Sequence, residues 1–202
     1  MKERIKKNLQ ALSVCAITLF TGCNEEIAEA VDTLPKPEYG SRDVLGYREV
    51  TSSLKDNDIR IANWVLAGSY SIQYHDQQYI SITKDTINRY SGWFANHFNP
   101  FIGSSGQASD CDNIAFLYKH ILSASTIKNK QSSEILCGVL MVKQINDFGN
   151  IWSGPADKSP VLHALNIIKT SDRGWYVVEP QTGTMCPLDS YPNKQYIFRI
   201  IF

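Results

Sequence analysis

Two apolar segments joined by a short polar turn constrain the fold of this chain most. The segments "PVLHALNIIKT" and "GWYVVEP" are rich in β-branched and aromatic residues, and "SDRG" lies between them. Apolar runs of this length, bounded by turn residues, predict a β-hairpin. If "SDR" forms a three-residue loop, Thr170 pairs with Gly174 and His163 falls opposite Gln181. Glu179 then lies on the same face as His163, one residue pair away, because alternate residues of a strand face the same side.

The rest of the domain predicts one sheet and two main helices. The segments "EILCGVLMVKQI" and "QYIFRIIF" have the composition of buried strands, whereas "TKDTINRYSGWFANHF" is typical of a helix. The segments "DIRIANWVLAG" and "SYSIQYHDQQYIS" fit either early strands or an irregular lead-in. A helical half followed by consecutive strands predicts an α+β fold.

A cysteine begins the second predicted helix, "CDNIAFLYKHIL". Counting from Cys111, steps of three, four, seven, ten and eleven residues give one apolar stripe: Ile114, Ala115, Tyr118, Ile121 and Leu122. Ser109 or Asp110 is suited to cap this helix. A thiol in the first turn lies among unpaired N–H groups at the positive end of the helix dipole, which favours the thiolate.

A reactive thiol also needs a base, and the chain has four histidines. His120 is excluded, because nine residues of helix separate it from Cys111 by about 13 Å of rise and place it on the opposite face. His75 and His97 have no motif around them. His163 begins a strand and is the best candidate. Either Glu179 or Gln181 could then orient its ring.

Each of these residues also has a plain structural interpretation. Cys111 fits a small core residue on a helix stripe, His163 a half-buried strand histidine, and Glu179 a solvated strand end. The three occur in one short span as a cysteine at a helix start, a histidine at a strand start and an acid at the end of the neighbouring strand. Their order along the chain favours one thiol site over three residues with unrelated structural roles.

The first residues have the three parts of a secretory signal, namely a basic start, an apolar middle and a small-residue exit. The exit "LFTGC" resembles a bacterial lipobox, which implies acylation of Cys23 and attachment to a membrane. The alternative is an ordinary signal peptide with a chance cysteine. We therefore expect a signal in residues 1–22, a flexible tether in 23–45 because of its polar, proline-containing composition, and one folded domain in 46–202.

The quoted residues around Cys111, with "HALNIIKTSDRGWYVVEPQTG", resemble the transglutaminase-like branch of the papain-like cysteine hydrolases, including the bacterial transglutaminase-like cysteine peptidases. The resemblance covers roughly residues 105–185. It implies a papain-like or transglutaminase-like core, with the Cys-bearing helix packed on an antiparallel sheet. It also implies Cys111 as nucleophile, His163 as general base and acid, and Glu179 as the orienting residue.

The resemblance extends to an oxyanion donor upstream of the nucleophile, for which Gln107 ranks before Trp93. It also has departures. The acidic residue of the family is usually Asp, whereas this chain has Glu179, and "AL" follows His163 where an aromatic residue two places on is common.

Three cysteines remain in the expected mature domain. Cys137 and Cys186 are candidates for a disulfide that leaves Cys111 free, which fits an oxidising compartment. The opposite pairing, with Cys111 in a disulfide, predicts a structural or binding domain. The chain has no closely spaced Cys/His cluster, so we expect no structural zinc and no other cofactor.

The net charge of the chain limits the classes of molecule that it can bind. Without residues 1–22, the chain has 16 basic and 19 acidic residues, which is no footprint for nucleic acid. The sequence therefore predicts an envelope lipoprotein that acts on amide or peptide bonds, as a hydrolase or acyltransferase, with a peptide or envelope polymer as substrate. Asn24 favours the outer membrane where two membranes exist. The alternative is a catalytically inactive papain-like lipoprotein that serves as a binding or structural protein of the envelope.

Overall fold

The computed structural model describes residues 33–57, 72–98, 111–128, 133–149, 161–172 and 174–202. The chain divides into residues 1–34 and a compact unit Pro35–Phe202. The predicted signal, Cys23 and Gln107 lie outside the described residues. In the described ranges, every helix is too short or too polar to span a bilayer.

The described elements follow one another in this order: β1 (Tyr39–Gly46), α1 (Tyr47–Asn57), β2 (Ile72–Gln73), β3 (Gln78–Ile82), α2 (Lys84–Phe98), α3 (Cys111–Lys128), β4 (Glu134–Ile135), β5 (Cys137–Gln144), β6 (Val161–Lys169), β7 (Trp175–Glu179), β8 (Thr184–Pro187) and β9 (Ile197–Ile201). Two 3-10 turns, Leu188–Ser190 and Lys194–Tyr196, connect β8 to β9. Both predicted helices and the strands predicted after α3 are present, but "EILCGVLMVKQI", predicted as one strand, forms two, β4 and β5.

The strands form two sheets. The larger has the order β2-β9-β5-β6-β7-β8, and the smaller has the order β1-β3-β4. Each sheet contains a parallel pair, β2 with β9 and β3 with β4, beside its antiparallel pairs. Short segments from before α2 and after α3 supply these parallel strands, and their pairing was not visible in the sequence.

The predicted fold class was therefore wrong. The described part of the chain is rich in mixed sheet and has three α-helices, whereas we expected one antiparallel sheet with a papain-like core. A two-residue strand carries too few residues to show its partner or direction, because pairing depends on contacts that are distant in sequence.

The predicted register of the hairpin is confirmed. The Thr170 N–H donates to the Gly174 carbonyl at 2.9 Å, and Lys169 pairs with Trp175. Strand pairing between β6 and β7 ends at Asn166 and Val178. His163 and Glu179 lie beyond the last pair, and their side chains are in contact.

The main core lies on one side of the large sheet. It combines strand residues with Val50 and Leu54 of α1 and with aromatic residues, among them Tyr79, Trp175 and Phe202. Phe202 packs so closely on β5 that its ring would lie 2.9 Å from a β-carbon at Gly138. A side chain at position 138 would therefore displace the ring.

Helix α3 packs on β5 and β6. Its predicted stripe is buried at Ile114, Ala115, Tyr118 and Leu122 and half-buried at Ile121. Ala115 forms a small cluster with Val139 and Ala164, against which Cys111 and Phe116 pack. The fully buried Asn166 side chain donates from Nδ2 to the Ala115 carbonyl at 2.9 Å and to the Gly138 carbonyl at 3.3 Å. These contacts hold the first turns of the helix against the sheet.

Strand β1 begins inside the segment predicted as a flexible tether. Tyr39 pairs with Ile82 of β3, and the Glu38 N–H donates to Thr86 Oγ1 at 2.9 Å. The tether therefore cannot extend to residue 45. The proline-containing composition that suggested a linker gave no indication of the pairing partner, which lies about forty residues later.

The predicted disulfide is absent, because Cys111, Cys137 and Cys186 are all free thiols. Cys137 lies on β5 and Cys186 on β8, with β6 and β7 between them. Three strand spacings amount to about 14 Å, whereas the α-carbons of a disulfide lie no more than about 7 Å apart.

Candidate functional site

Cys111, His163 and Glu179 come together in the folded chain. Cys111 is the first residue of α3, His163 lies near the start of β6, and Glu179 ends β7. The cysteine is half-buried, and its side chain hydrogen bonds with the His163 ring. Three elements that are far apart in sequence thus supply one constellation.

The His163 ring and the Glu179 carboxylate form a close pair. His163 Nε2 lies 2.6 Å from Glu179 Oε2. The Glu179 side chain is fully buried, and only 12% of the His163 side chain is exposed. Because Nε2 is used by the carboxylate, Nδ1 is the ring nitrogen left for Cys111. The arrangement gives the imidazole one acceptor on each side.

Cys111 and Glu179 favour the protonated, charged form of the His163 ring. Burial lowers the pKa of His163, but hydrogen bonds with Cys111 and Glu179, together with the negative charges of both, outweigh it and raise the pKa to about 9. The site therefore pairs a half-buried thiol with an imidazole that a buried carboxylate holds in place, which is the arrangement of a nucleophile with its proton partner.

Glu179 is held by the tight turn that follows it. The Gln181 N–H donates to Glu179 Oε1 at 3.2 Å, and the Gly183 N–H donates to the Glu179 carbonyl at 2.8 Å. Gly183 has φ of 71°, in the left-handed region that favours glycine. Gln181, predicted as an alternative orienting residue, thus acts on the site through its backbone.

Gly149 lies directly against the Glu179 side chain. Its φ is 81°, and a β-carbon there would lie 2.7 Å from Glu179 Cγ and 3.0 Å from Thr182 Oγ1. Only a residue without a side chain fits in this position. The glycine of "DFGN" was the available signal, because an isolated glycine after a strand often marks a close approach.

The sequence also predicted two oxyanion candidates, Gln107 and Trp93, and two possible caps for α3. Gln107, the first-ranked oxyanion candidate, lies outside the described residues, as do the proposed caps Ser109 and Asp110. Trp93 is half-buried on α2, where its ring stacks on Tyr90 at 5.7 Å and contacts His97 at 4.8 Å. Trp93 is thus part of an aromatic cluster.

Asn166 was missed by the sequence analysis. It is a fully buried polar residue that fixes α3 to the sheet, and hence fixes Cys111. The signal was present, since Asn166 interrupts the apolar run "ALNII" at a position that a strand core would otherwise fill with an aliphatic residue.

Comparison with known proteins finds neither a matching family model nor a matching curated protein. Several solved structures are similar, among them the following two. One is described as "PSL1a-E64 complex", with 16% identity and a TM-score of 0.51. The other is Polyporus squamosus lectin bound to the human-type influenza-binding epitope Neu5Aca2-6Galb1-4GlcNAc, with 15% identity and a TM-score of 0.53. Each match covers 79% of this chain, and 50% and 49% of the respective structure.

This chain therefore spans about half the length of the solved structures it matches. At these identities the likeness shows the fold alone. The assignment to the transglutaminase-like or papain-like superfamily was wrong, because the comparisons relate the fold to a lectin structure and no family model supports the assignment. The prediction that this domain is a thiol hydrolase or acyltransferase is wrong for the same reason. A correct contact among three residues does not identify a family, since sites recur on different folds.

Proposed function

We propose that this domain is a binding module of the cell envelope that takes a carbohydrate-containing polymer at the surface around Cys111 and His163. The observation that carries the proposal is the 2.6 Å pair of His163 Nε2 and Glu179 Oε2, which fixes a charged ring beside a half-buried thiol. A fully buried carboxylate is costly unless it is paired. The position of this buried carboxylate next to the ring supports a functional surface.

The class of ligand is supported by the fold. One of the similar solved structures is a lectin with a bound saccharide. The mild negative charge outside residues 1–22 argues against strongly acidic polymers such as nucleic acid. A saccharide polymer of the envelope fits both observations.

Within this surface we assign three roles. Cys111 is the reactive thiol that faces the ligand, His163 is its proton partner, and Glu179 orients and charges the ring. The carboxylate touches no ligand in this scheme. Glu179 is thus a positioning residue that acts through His163.

Binding to purified envelope polysaccharide tests the proposal by co-sedimentation and by calorimetry with soluble fragments. We expect His163→Ala to weaken binding at least tenfold, because it removes the charged group at the surface. His120→Ala is the matched control, since His120 is an exposed histidine of α3 and should leave binding unchanged. Absence of polymer binding by the native protein, or equal binding by His163→Ala, would refute the proposal.

We also propose that Cys23 carries a lipid and tethers the protein to a membrane, preferably the outer one. The lipobox-like "LFTGC" supports this assignment. In cell fractionation, Cys23→Ser should move the protein from membranes to the soluble fraction. Cys15→Ser is the matched control because Cys15 lies within the signal and is removed with it. Membrane association that survives Cys23→Ser would contradict acylation at this residue.

A further inference from the structure

We infer that the open face of the large sheet beside Cys111 is a subsite for an acidic sugar, that is, a sugar ring that carries one carboxylate. This inference rests on the proposed function and specifies its ligand. Four side chains form the subsite, which we call the floor: Met141, Lys143, Leu162 and Arg199.

Strand pairing places the floor residues on one face of the sheet. Met141 and Lys143 lie two residues apart on β5. Leu162 of β6 lies opposite Lys143, and Arg199 of β9 lies opposite Met141. Paired residues, and residues two apart on one strand, point to the same side of a sheet. The floor therefore spans three neighbouring strands, about 10 Å across them and about 7 Å along them.

The floor adjoins Cys111 through Ala164. This alanine lies opposite Met141 on the same face of the sheet, and Cys111 packs against the cluster that contains it. Helix α3 begins at Cys111. One turn later the Ala115 carbonyl accepts a hydrogen bond from Asn166, so the helix runs along β6 away from Leu162. The floor thus lies beyond the start of α3, next to the thiol.

Solvent reaches the floor directly. Leu162 is 66% exposed, Lys143 is exposed, and Met141 and Arg199 are half-buried. Among the described residues of the large sheet, Leu162 is the only exposed large apolar side chain. A single exposed leucine is ordinary in a folded protein, so the charges around it carry the argument.

The two cations of the floor lack an acidic partner. Among the described residues, neither Lys143 nor Arg199 forms an ion pair. Arg199 Nη2 donates to Gln73 Oε1 at 3.0 Å, but this amide is neutral. Charges that are partly removed from water are usually paired with an opposite charge. The floor therefore offers uncompensated positive charge beside an apolar side chain.

A carboxylate-bearing sugar ring matches both features of the floor. Its C–H face can pack on Leu162, while its carboxylate pairs with Lys143 in the field of the half-buried Arg199. Asp112, which follows Cys111, is exposed and would repel a second carboxylate placed near it. The mild negative charge of the chain outside residues 1–22 acts in the same direction. We therefore expect isolated acidic sugars to be preferred over a polyanion.

Two other classes of partner fit the floor less well. Anionic membranes are held by clusters of about four to eight basic side chains, whereas the floor has two. Extended peptides add to a free strand edge, but β5, β6 and β9 each have a neighbouring strand on both sides. The floor can therefore take a ligand on its face but not along an edge.

Calorimetry with one oligosaccharide in two forms tests the floor. The probe is xylotetraose bearing a single glucuronic acid, compared with the same sugar after reduction of its carboxylate to an alcohol. At low ionic strength the native protein should bind the acidic form about fivefold more tightly, and high salt should diminish this preference. Lys143→Gln should remove most of the preference. Leu162→Ser should weaken the binding of both forms equally, because it removes apolar contact but no charge.

Lys36→Gln is the matched control. Lys36 is exposed and precedes β1 of the smaller sheet, which adjoins the far end of β6 at Thr170. This variant should keep the full preference. Lys143 and Leu162 are both exposed, so their variants should fold, and circular dichroism checks this.

Equal binding of the two forms by the native protein, or an unchanged preference in Lys143→Gln, would overturn the inference. Tighter binding of phosphatidylglycerol vesicles or of a glutamate-containing peptide, if it depended on Lys143, would overturn the assignment to a sugar. Failure of both forms to bind would also overturn the inference. Co-sedimentation with envelope polysaccharide then shows whether the proposed function fails with it, because that assay needs no acidic sugar.

Discussion

The fully buried Glu179 carboxylate pairs with the His163 ring, with Oε2 2.6 Å from Nε2. The carboxylate has no exposed surface, so its charge acts mainly on the ring and on the thiol beyond it. Because water does not screen this pair as it would a surface pair, the state of one residue should be measurable at the other two. The following predictions use this coupling.

Cys111 should be the reactive thiol of the folded protein. Burial raises the pKa of Cys137 to about 12 and that of Cys186 to about 11, so both should resist alkylation at neutral pH. Iodoacetamide should label Cys111 rapidly at pH 6, as located by peptide mass spectrometry. His163→Ala should slow this labelling at least tenfold, whereas His120→Ala should not. Labelling of Cys111 at the rate of free cysteine would contradict its coupling to His163.

Folding stability should fall as pH rises through 9. The pKa of His163 is about 9 in the folded protein against an ordinary 6.5. A raised pKa adds stability that is complete below pH 6.5 and is lost as the pH passes 9. The difference corresponds to an order of 3 kcal/mol, measurable by urea unfolding between pH 6 and pH 9.5.

Glu179→Gln should flatten this dependence, because the neutral amide no longer stabilises the imidazolium. His163 should then titrate well below 9 when followed by NMR. Glu38→Gln is the matched control, since Glu38 forms an exposed ion pair with Arg89 and such pairs contribute little. A His163 titration that stays near 9 in Glu179→Gln would show that Cys111 alone charges the ring.

Gly149→Ala should lower the free energy of unfolding by about 1–3 kcal/mol, because φ of 81° is strained for alanine and the β-carbon would overlap Glu179. The displaced carboxylate should also slow Cys111 alkylation. Gly92→Ala is the control: this exposed helical glycine has no atom within 4 Å of an added β-carbon, so alanine should stabilise by about 0.5–1 kcal/mol. Equal effects of the two substitutions would contradict the role of Gly149.

Asn166→Ala should destabilise the fold by about 1–3 kcal/mol, since it removes the donors to the Ala115 and Gly138 carbonyls. It should also loosen the start of α3, which hydrogen exchange at its first turns would detect. Asn88→Ala on the exposed face of α2 is the comparison and should be nearly neutral. Unchanged exchange in α3 would mean that packing alone holds the helix.

The sequence predicted the local arrangement of the site because local rules determine it. The turn "SDRG" sets the register of the hairpin, and His163 and Glu179 lie in contact just beyond its paired residues. The apolar stripe sets which side of α3 is buried and thereby orients Cys111. Each inference uses residues that are close in sequence or paired through one short turn.

The sequence did not predict features that depend on distant pairing. Tyr39 pairs with Ile82, and Ile72 runs parallel to Ile200, but no periodicity within these short strands shows their partners. The prediction of a disulfide between Cys137 and Cys186 was wrong for the same reason. The distance between the two cysteines depends on the order of the strands in the sheet, which the sequence did not show. The family assignment failed because it extended a local pattern to the whole fold.

The contact between Gly149 and Glu179 also restricts how this chain can diverge. A side chain at position 149 is tolerated only if position 179 becomes smaller or the segment between Gln144 and Gly149 moves away. Chains that descend from the same ancestor should therefore change at both positions together or at neither. Where an alanine replaces Gly149, we expect aspartate at position 179, which brings the charge to the ring on a shorter side chain.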